Sequence, residues 1–134
     1  MNPLKILLIG AKGRMGQAIS ECAKNNKAII IGACDIGDNP AQFIEEADVI
    51  IDFSFYKTTI EIAQLAVKHK KGLVIGTTGH DASSKKQILE VIKEEIPVVW
   101  AGNYSIGVNT LNYLTKKAAS VSYTHLRAHE TAYY

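Results

Sequence analysis

Residues 4–16, Leu-Lys-Ile-Leu-Leu-Ile-Gly-Ala-Lys-Gly-Arg-Met-Gly, constrain the fold more than any other part of the chain. Ile6, Leu7, Leu8 and Ile9 form an apolar run without polar alternation, which predicts a strand covered on both faces, as in a parallel sheet. Gly10, Gly13 and Gly16 follow as G-x-x-G-x-x-G, one residue longer between the first two glycines than G-x-G-x-x-G. Met15, Ala18, Ile19, Cys22 and Ala23 recur at helical spacing and predict a helix packed on the sheet through that face. A buried strand, a glycine turn and a helix start, in that order, form a concave place for an anion. Backbone N–H groups and the positive end of the helix dipole converge there. Glycines also punctuate ordinary turns, so the motif draws its weight from this context.

The remaining composition excludes several classes. The chain has 134 residues, room for one domain with a real core but little for a second. Hydrophobic content is 47% and charged content 21%, as in soluble globular proteins. A net charge of +2 argues against nucleic acid and anionic membranes as partners. No apolar run approaches the ~20 residues of a membrane span. Met1-Asn2-Pro3 leads straight into the first strand without a signal-peptide pattern, so a cytoplasmic location is expected. Cys22 and Cys34 have neither metal spacing nor a disulfide framework and are read as reduced core thiols.

Further along, apolar runs predict strands over residues 28–33, 48–54, 72–75 and 97–100. Helical patterns fall between them at 58–70 and 81–95, with a short helix at most over 41–46, and a last helix spans 109–120. In the helix at 81–95, Ile88, Leu89, Val91 and Ile92 are expected to face inward. This alternation predicts an α/β fold, a Rossmann-like doubly wound parallel sheet. Arg14 sits in the glycine turn, where a guanidinium pairs with pyrophosphate; the alternative is an exposed arginine at a helix start. Asp35 follows the second strand about twenty residues on, the place of an acid that accepts from ribose hydroxyls. The alternative is a plain turn residue. No Lys or Arg follows in residues 35–38 to hold a 2′-phosphate, so NADH is expected to bind at least as well as NADPH.

Two more loops lie at strand C-terminal ends, the edge where open α/β sheets bind ligands. Gly76-Thr77-Thr78-Gly79 brackets two hydroxyls with glycines, and Ala101-Gly102-Asn103-Tyr104 offers an aromatic face. The Thr side chains serve either a ligand or backbone capping. Tyr104 either lies near a nicotinamide ring or packs half-buried. His69 and His80 have no base or metal partner in the sequence and read as helix-end and cap-region residues. Residues 121–134 change character, with weak periodicity and half of the chain's histidines. His125-x-x-x-His129-Glu130 lacks a third ligand and the H-E-x-x-H order, so no metal site is expected. The segment is expected to be a non-native tail, which leaves residues 1–120 as the dinucleotide-binding domain.

The glycine turn, Ile51-Asp52-Phe53-Ser54, Ile75-Gly76-Thr77-Thr78-Gly79 and the segment Ala101 to Asn109 together resemble the N-terminal domain of the 4-hydroxy-tetrahydrodipicolinate reductase (dihydrodipicolinate reductase) family. The resemblance covers about residues 4 to 120. It implies a pyrophosphate loop at Gly10, Ala11, Lys12, Gly13, Arg14 and Met15, with an adenosine-side acid at Asp35. It implies nicotinamide-side contacts from Gly76, Thr77 and Thr78, with Thr78 also touching substrate, and a last cofactor segment at Ala101, Gly102, Asn103 and Tyr104. It further implies hydride transfer from NADH or NADPH to a small-molecule substrate in lysine and diaminopimelate biosynthesis, by a cytoplasmic homotetramer. The family's C-terminal substrate domain, with its His-His segment, its lysine and its serine-glycine-threonine loop, has no counterpart here. The expectation is therefore a truncated reductase with no catalytic residue of its own. A non-catalytic NAD(H)- or CoA-binding Rossmann module is the competing reading.

Overall fold

The computed structural model of the protein describes residues 2–126, with side-chain surroundings through residue 121. In chain order the elements are β1 (Leu4–Ile9), α1 (Arg14–Lys24), β2 (Ala28–Cys34), β3 (Val49–Asp52), α2 (Thr59–Lys68), β4 (Gly72–Ile75), α3 (Ala82–Ile92), β5 (Val98–Trp100) and α4 (Ile106–Leu126). The first compact unit runs to Gly102, and a second begins at Asn103.

The first unit is one five-stranded sheet in the order β2-β1-β3-β4-β5, and every pairing is parallel. The order reverses at β1, so right-handed crossovers place α1 on one face and α2 with α3 on the other. Leu7 and Ile9 of β1 join Ile50, Leu73 and Ile75 against Ile62, Ala63 and Ala66 of α2 and Ile88 and Ile92 of α3. Between β2 and β3 a 3-10 turn, Pro40–Gln42, takes the place of a crossover helix. The buried side chains of Ile44 and Ala47 carry that connection into the same core. Gly32 leaves room there for Phe43, whose ring lies 2.5 Å from where a Cβ would stand.

Two expected helix faces differ from the observed ones. In α1 the buried residues are Gly16 and Ala23, while Met15, Ala18 and Cys22 are exposed. Ile19 is half-buried between them, and Gly16 lets the helix backbone close onto the turn at Gly10 and Ala11. Cys22 is therefore an exposed thiol rather than a core one, and only Cys34 is buried. In α3 Leu89 is 58% exposed, while Ile88 and Ile92 are buried in the core and Val91 packs half-buried against it.

The second unit is described by itself. Asn103 Oδ1 accepts from the Ser105 amide at 2.7 Å, a local turn that leads into α4. The helix starts three residues before the expected Asn109 and runs past Ser120 to Leu126. No glycine or proline follows Gly107 to stop it. His129 and Glu130 lie outside the described residues.

Candidate functional site

The carboxyl ends of β1, β2 and β3 open onto a cleft of about 610 Å³. Gly10 and Gly13 form one wall, Asp35 to Asp38 the opposite one, and Phe53, Ser54 and Phe55 the floor toward α2. The cleft lies where strand order reverses, at the switch point at which doubly wound sheets take ligands.

The three glycines of the turn have different reasons to be glycine. Gly10 has φ +81°, and a Cβ there would stand 2.3 Å from the Phe53 carbonyl oxygen. A Cβ on Gly16 would stand 2.2 Å from the Gly10 oxygen and 2.6 Å from that of Ala11. Both are demanded by the fold. Gly13 has ordinary extended geometry, φ −69° and ψ 164°. Its nearest neighbour to a Cβ would be the Gly10 oxygen at 3.3 Å. The space kept free at Gly13 belongs to the cleft.

Every amide of the turn proper is engaged within the protein. Gly10 and Ala11 donate to the Cys34 carbonyl at 2.9 and 3.1 Å, and Gly13 donates to Gly10 at 3.1 Å. The Lys12 amide donates to Asp35 Oδ2 at 2.9 Å. Donors for an anion come instead from the first turn of α1, at Arg14, Met15 and Gly16. Helix starts leave such amides without intrahelical partners, and Gly13 gives no side-chain cap. Arg14 is exposed at this end, and Met15 is 47% exposed.

Asp35 faces the turn across the cleft. Its Oδ1 accepts from the Ile36 amide at 2.9 Å, and its own amide donates to Asp38 Oδ2 at 2.9 Å. The hydrogen bonds from Ile36 and then Lys12 hold its carboxyl below the usual range, so it is ionised at neutral pH. Cys34 beside it is buried, and burial, with Asp38 nearby, pushes its thiol up.

The second loop is tied to the end of β3. Gly76 and Thr77 donate their amides to the Asp52 carbonyl at 2.8 and 3.2 Å. A Cβ on Gly76 would stand 2.2 Å from the Phe53 ring. Thr77 is 4% exposed; its hydroxyl donates to the Asp52 carbonyl and accepts from the Ser54 amide at 2.9 Å. Its side chain therefore pins the loop, and of the two hydroxyls only that of Thr78 is exposed. Ala101 follows β5 and donates its amide to the Ile75 carbonyl at 3.3 Å, beside this loop, and Gly102 is exposed. Asn103 and Tyr104 belong to the second unit.

Sequence reasoning missed two residues at this edge. Asp52 is fully buried, and its carboxylate accepts from the Ser54 amide and hydroxyl and from the Thr59 hydroxyl at 3.0 Å. Three donors satisfy a carboxyl group that water does not reach. The only signal was an Asp closing an apolar strand, with Ser and Thr just beyond. His80 lies just before the cap of α3, Asp81, which accepts from the Ser84 amide at 2.6 Å, and its side chain is buried, 8% exposed. The His80 ring lies edge-on to Trp100 at 5.3 Å, and its buried Nε2 has no hydrogen-bond partner among the described residues. Desolvation holds its pKa below the ordinary histidine value, partly offset by Asp52.

Fold and site together define a Rossmann-type α/β domain with its ligand edge at the carboxyl ends of the strands. Residues 4–104 match the family described as "Dihydrodipicolinate reductase, N-terminus", and the chain belongs to that family. A 4-hydroxy-tetrahydrodipicolinate reductase of Akkermansia muciniphila is 42% identical over 119 residues, covering 88% of this chain and 48% of that protein. One from Campylobacter jejuni is 43% identical over 119 residues, covering 88% and 49%. The chain thus spans about half the length of the curated relatives it matches. Among solved structures, a dipicolinate-bound dihydrodipicolinate reductase from Paenisporosarcina sp. TG-14 has the same fold, with TM-score 0.67 and 23% identity over 90% of this chain and 53% of that one. Homoserine dehydrogenase of S. aureus is a more distant fold relative, with TM-score 0.56 and 16% identity over 75% of this chain and 33% of that one.

Proposed function

We propose that this chain carries the cofactor-binding half of a reductase that converts 4-hydroxy-tetrahydrodipicolinate to tetrahydrodipicolinate with NADH or NADPH, in lysine and diaminopimelate biosynthesis. The observation that carries the reading is the uncapped start of α1, opening onto a cleft whose far wall is the ionised Asp35. Pyrophosphate would lie on the amides of Arg14 to Gly16 with the Arg14 guanidinium beside it. The free face of Gly13 supports this fit, since a Cβ there meets only one backbone atom and would project where the ligand approaches. Asp35 would accept from the adenosine ribose hydroxyls, and its charge opposes a 2′-phosphate. Phe55 and Ile36, both exposed at the cleft, would flank the adenine.

When bound, the cofactor supplies the hydride. This chain's part is to orient it: Gly76 lets Phe53 pack under the second loop, Thr77 pins that loop, and Thr78 is left to meet the nicotinamide side and the substrate. Hydride transfer depends on near-contact geometry. A proton donor and the grip on the substrate carboxylates are assigned to the part of the relatives this chain does not span. No helix among the described residues is long and apolar enough to cross a membrane. A cytoplasmic homotetramer is proposed for the whole protein. The atypical composition of residues 121–134 supports reading them as foreign to it, which the coding DNA downstream of codon 120 would test.

Titration with NADH and NADPH tests the binding assignment, read by energy transfer from Trp100, the chain's only tryptophan. Saturable binding of NADH, at least as tight as of NADPH and without turnover by this chain alone, is the expected result. No binding of either would refute it, and binding of coenzyme A in their place would favour the non-catalytic module.

A further inference from the structure

The carboxylate placed to read the ribose is already in use. Asp35 Oδ2 holds the Lys12 amide of the glycine turn at 2.9 Å, twenty-three residues away in sequence, and Oδ1 holds Ile36. Its backbone is fixed as well: the Asp35 amide donates to Asp38 Oδ2 at 2.9 Å, and the Asp38 amide donates to the Asp35 carbonyl at 3.0 Å. The neighbouring residue, Cys34, accepts from Gly10 and Ala11 through its carbonyl. The end of β2 therefore holds three successive amides of the glycine turn, and the third is held by a side chain.

We infer that Asp35 is a positioning residue for the phosphate turn as well as a ribose acceptor, so that both subsites depend on one carboxylate. The inference rests on the dinucleotide reading above. Its chemistry is that of a carboxylate with two oxygens, each accepting more than one hydrogen bond. Oδ1 and Oδ2 each spend one acceptor position on a backbone amide, and each keeps another for a ribose hydroxyl. Without the carboxylate, the Lys12 amide has no protein acceptor, and the turn between Ala11 and Gly13 loses its tie to the opposite wall. The start of α1, which follows immediately, then loses its fixed distance from the ribose subsite.

This differs from ribose reading alone. If Asp35 only accepted from ribose hydroxyls and repelled a 2′-phosphate, Asp35→Ala would weaken NADH and strengthen NADPH. If it also holds the turn, loss of the tie weakens both and offsets the relief of repulsion that NADPH would otherwise gain. The test uses the chain as it stands, with NADH and NADPH as probes and amide hydrogen exchange of the ligand-free protein as a second readout. Asp35→Ala is expected to weaken NADH by about tenfold or more, the loss of a charge-assisted hydrogen bond, and to leave NADPH without a comparable gain. Exchange at the Lys12 amide should accelerate by about tenfold or more, with core amides such as Leu7 unchanged. Asp35→Asn, which keeps the side-chain shape and one acceptor oxygen, should shift NADH affinity and Lys12 exchange in the same direction and less. Core exchange in each variant separates loss of the tie from loss of the fold. An unchanged Lys12 exchange rate with the core intact, or an NADPH gain as large as the NADH loss, would overturn the inference. Failure of the parent chain to bind either nucleotide would remove the function reading instead, and the Lys12 exchange rate would still decide whether Asp35 holds the turn.

Discussion

Replacing Gly13 and Gly16 one at a time by alanine separates what the glycine turn does for the fold from what it does for a ligand. Gly16→Ala places a methyl 2.2 Å from the Gly10 oxygen and 2.6 Å from the Ala11 oxygen. Ordinary contacts of such atoms begin above 3 Å, so the overlap is about 1 Å against backbone that no rotamer change can clear. The expected cost is about 3 kcal/mol or more, at the upper end for overpacking. In a domain of this size that lowers Tm by about 12 °C or more. Gly13→Ala meets one atom at 3.3 Å, and its φ of −69° and ψ of 164° are open to any residue. Reduced freedom of the unfolded chain favours the alanine by about 0.4–1 kcal/mol, and its poorer fit at a helix start costs about as much. Stability should therefore stay within about 1 kcal/mol of the parent.

Binding should order the two positions differently. The Gly13→Ala methyl enters the cleft and holds a phosphate away from the first-turn amides. Losing one such hydrogen bond to a charged group costs about 1.5–3 kcal/mol, which is roughly 10- to 150-fold in NADH affinity. Thermal melts followed by circular dichroism, with NADH titrations at a temperature where each variant is folded, give both numbers. A Gly13→Ala protein that binds NADH like the parent, or that loses as much Tm as Gly16→Ala, would refute the division.

Asp52→Ala strips the acceptor from the Ser54 amide and hydroxyl and from the buried Thr59 hydroxyl. A loss of about 3 kcal/mol is expected in urea unfolding, with Asp52→Asn milder, and a loss under about 1 kcal/mol would contradict the network's role. His80 takes a proton less readily folded than unfolded, so below the unfolded pKa of about 6.5 the unfolded chain binds more protons and stability falls as pH falls. Melts between pH 7.5 and 5.5 (about the range where a free histidine titrates) should show that slope, and His80→Phe should flatten it; an equal slope in both proteins would remove His80 as its source. Gly76→Ala drives a methyl into the Phe53 ring and should cost about 1–3 kcal/mol, part of which Phe53→Leu restores in the double variant. Strictly additive losses would mean that the two do not meet.

The five strands were legible because each is a short run dominated by apolar residues, four of them ending at or just before a glycine or an aspartate. The helix faces were less so. Met15, Ala18 and Cys22 make an apolar stripe on α1, yet the buried positions are Gly16 and Ala23, with Gly16 closed against the backbone of Gly10 and Ala11. Leu89 was misplaced because a helix pattern admits neighbouring faces. Asp52 and Thr77 were opaque in another way. A sequence shows an Asp and a Thr at strand ends, a pattern shared by ligand contacts and capping residues, and only three-dimensional proximity shows that Asp52 faces three donors and that Thr77 turns inward. His80 stands one residue before the cap Asp81, in the cap region as the sequence suggests, but nothing in the sequence shows that its ring is buried beside Trp100.

The extra residue in G-x-x-G-x-x-G now has a physical account. In this turn from β1 into α1 the loop amides find acceptors within the protein. Here Gly10 and Ala11 give theirs to Cys34, Gly13 gives its amide back to Gly10, and Lys12, inside the lengthened interval, gives its to Asp35. The turn is thus self-satisfied, and unpaired donors begin only with the helix. On the proposed dinucleotide reading such a turn would pre-order the anion site, since no loop amide would have to reorient for a phosphate and the ordering cost would fall in folding rather than in binding. The same arrangement ties the position of the α1 start to the end of β2, so the departure from the shorter glycine pattern and the occupied carboxylate of Asp35 are two sides of one construction.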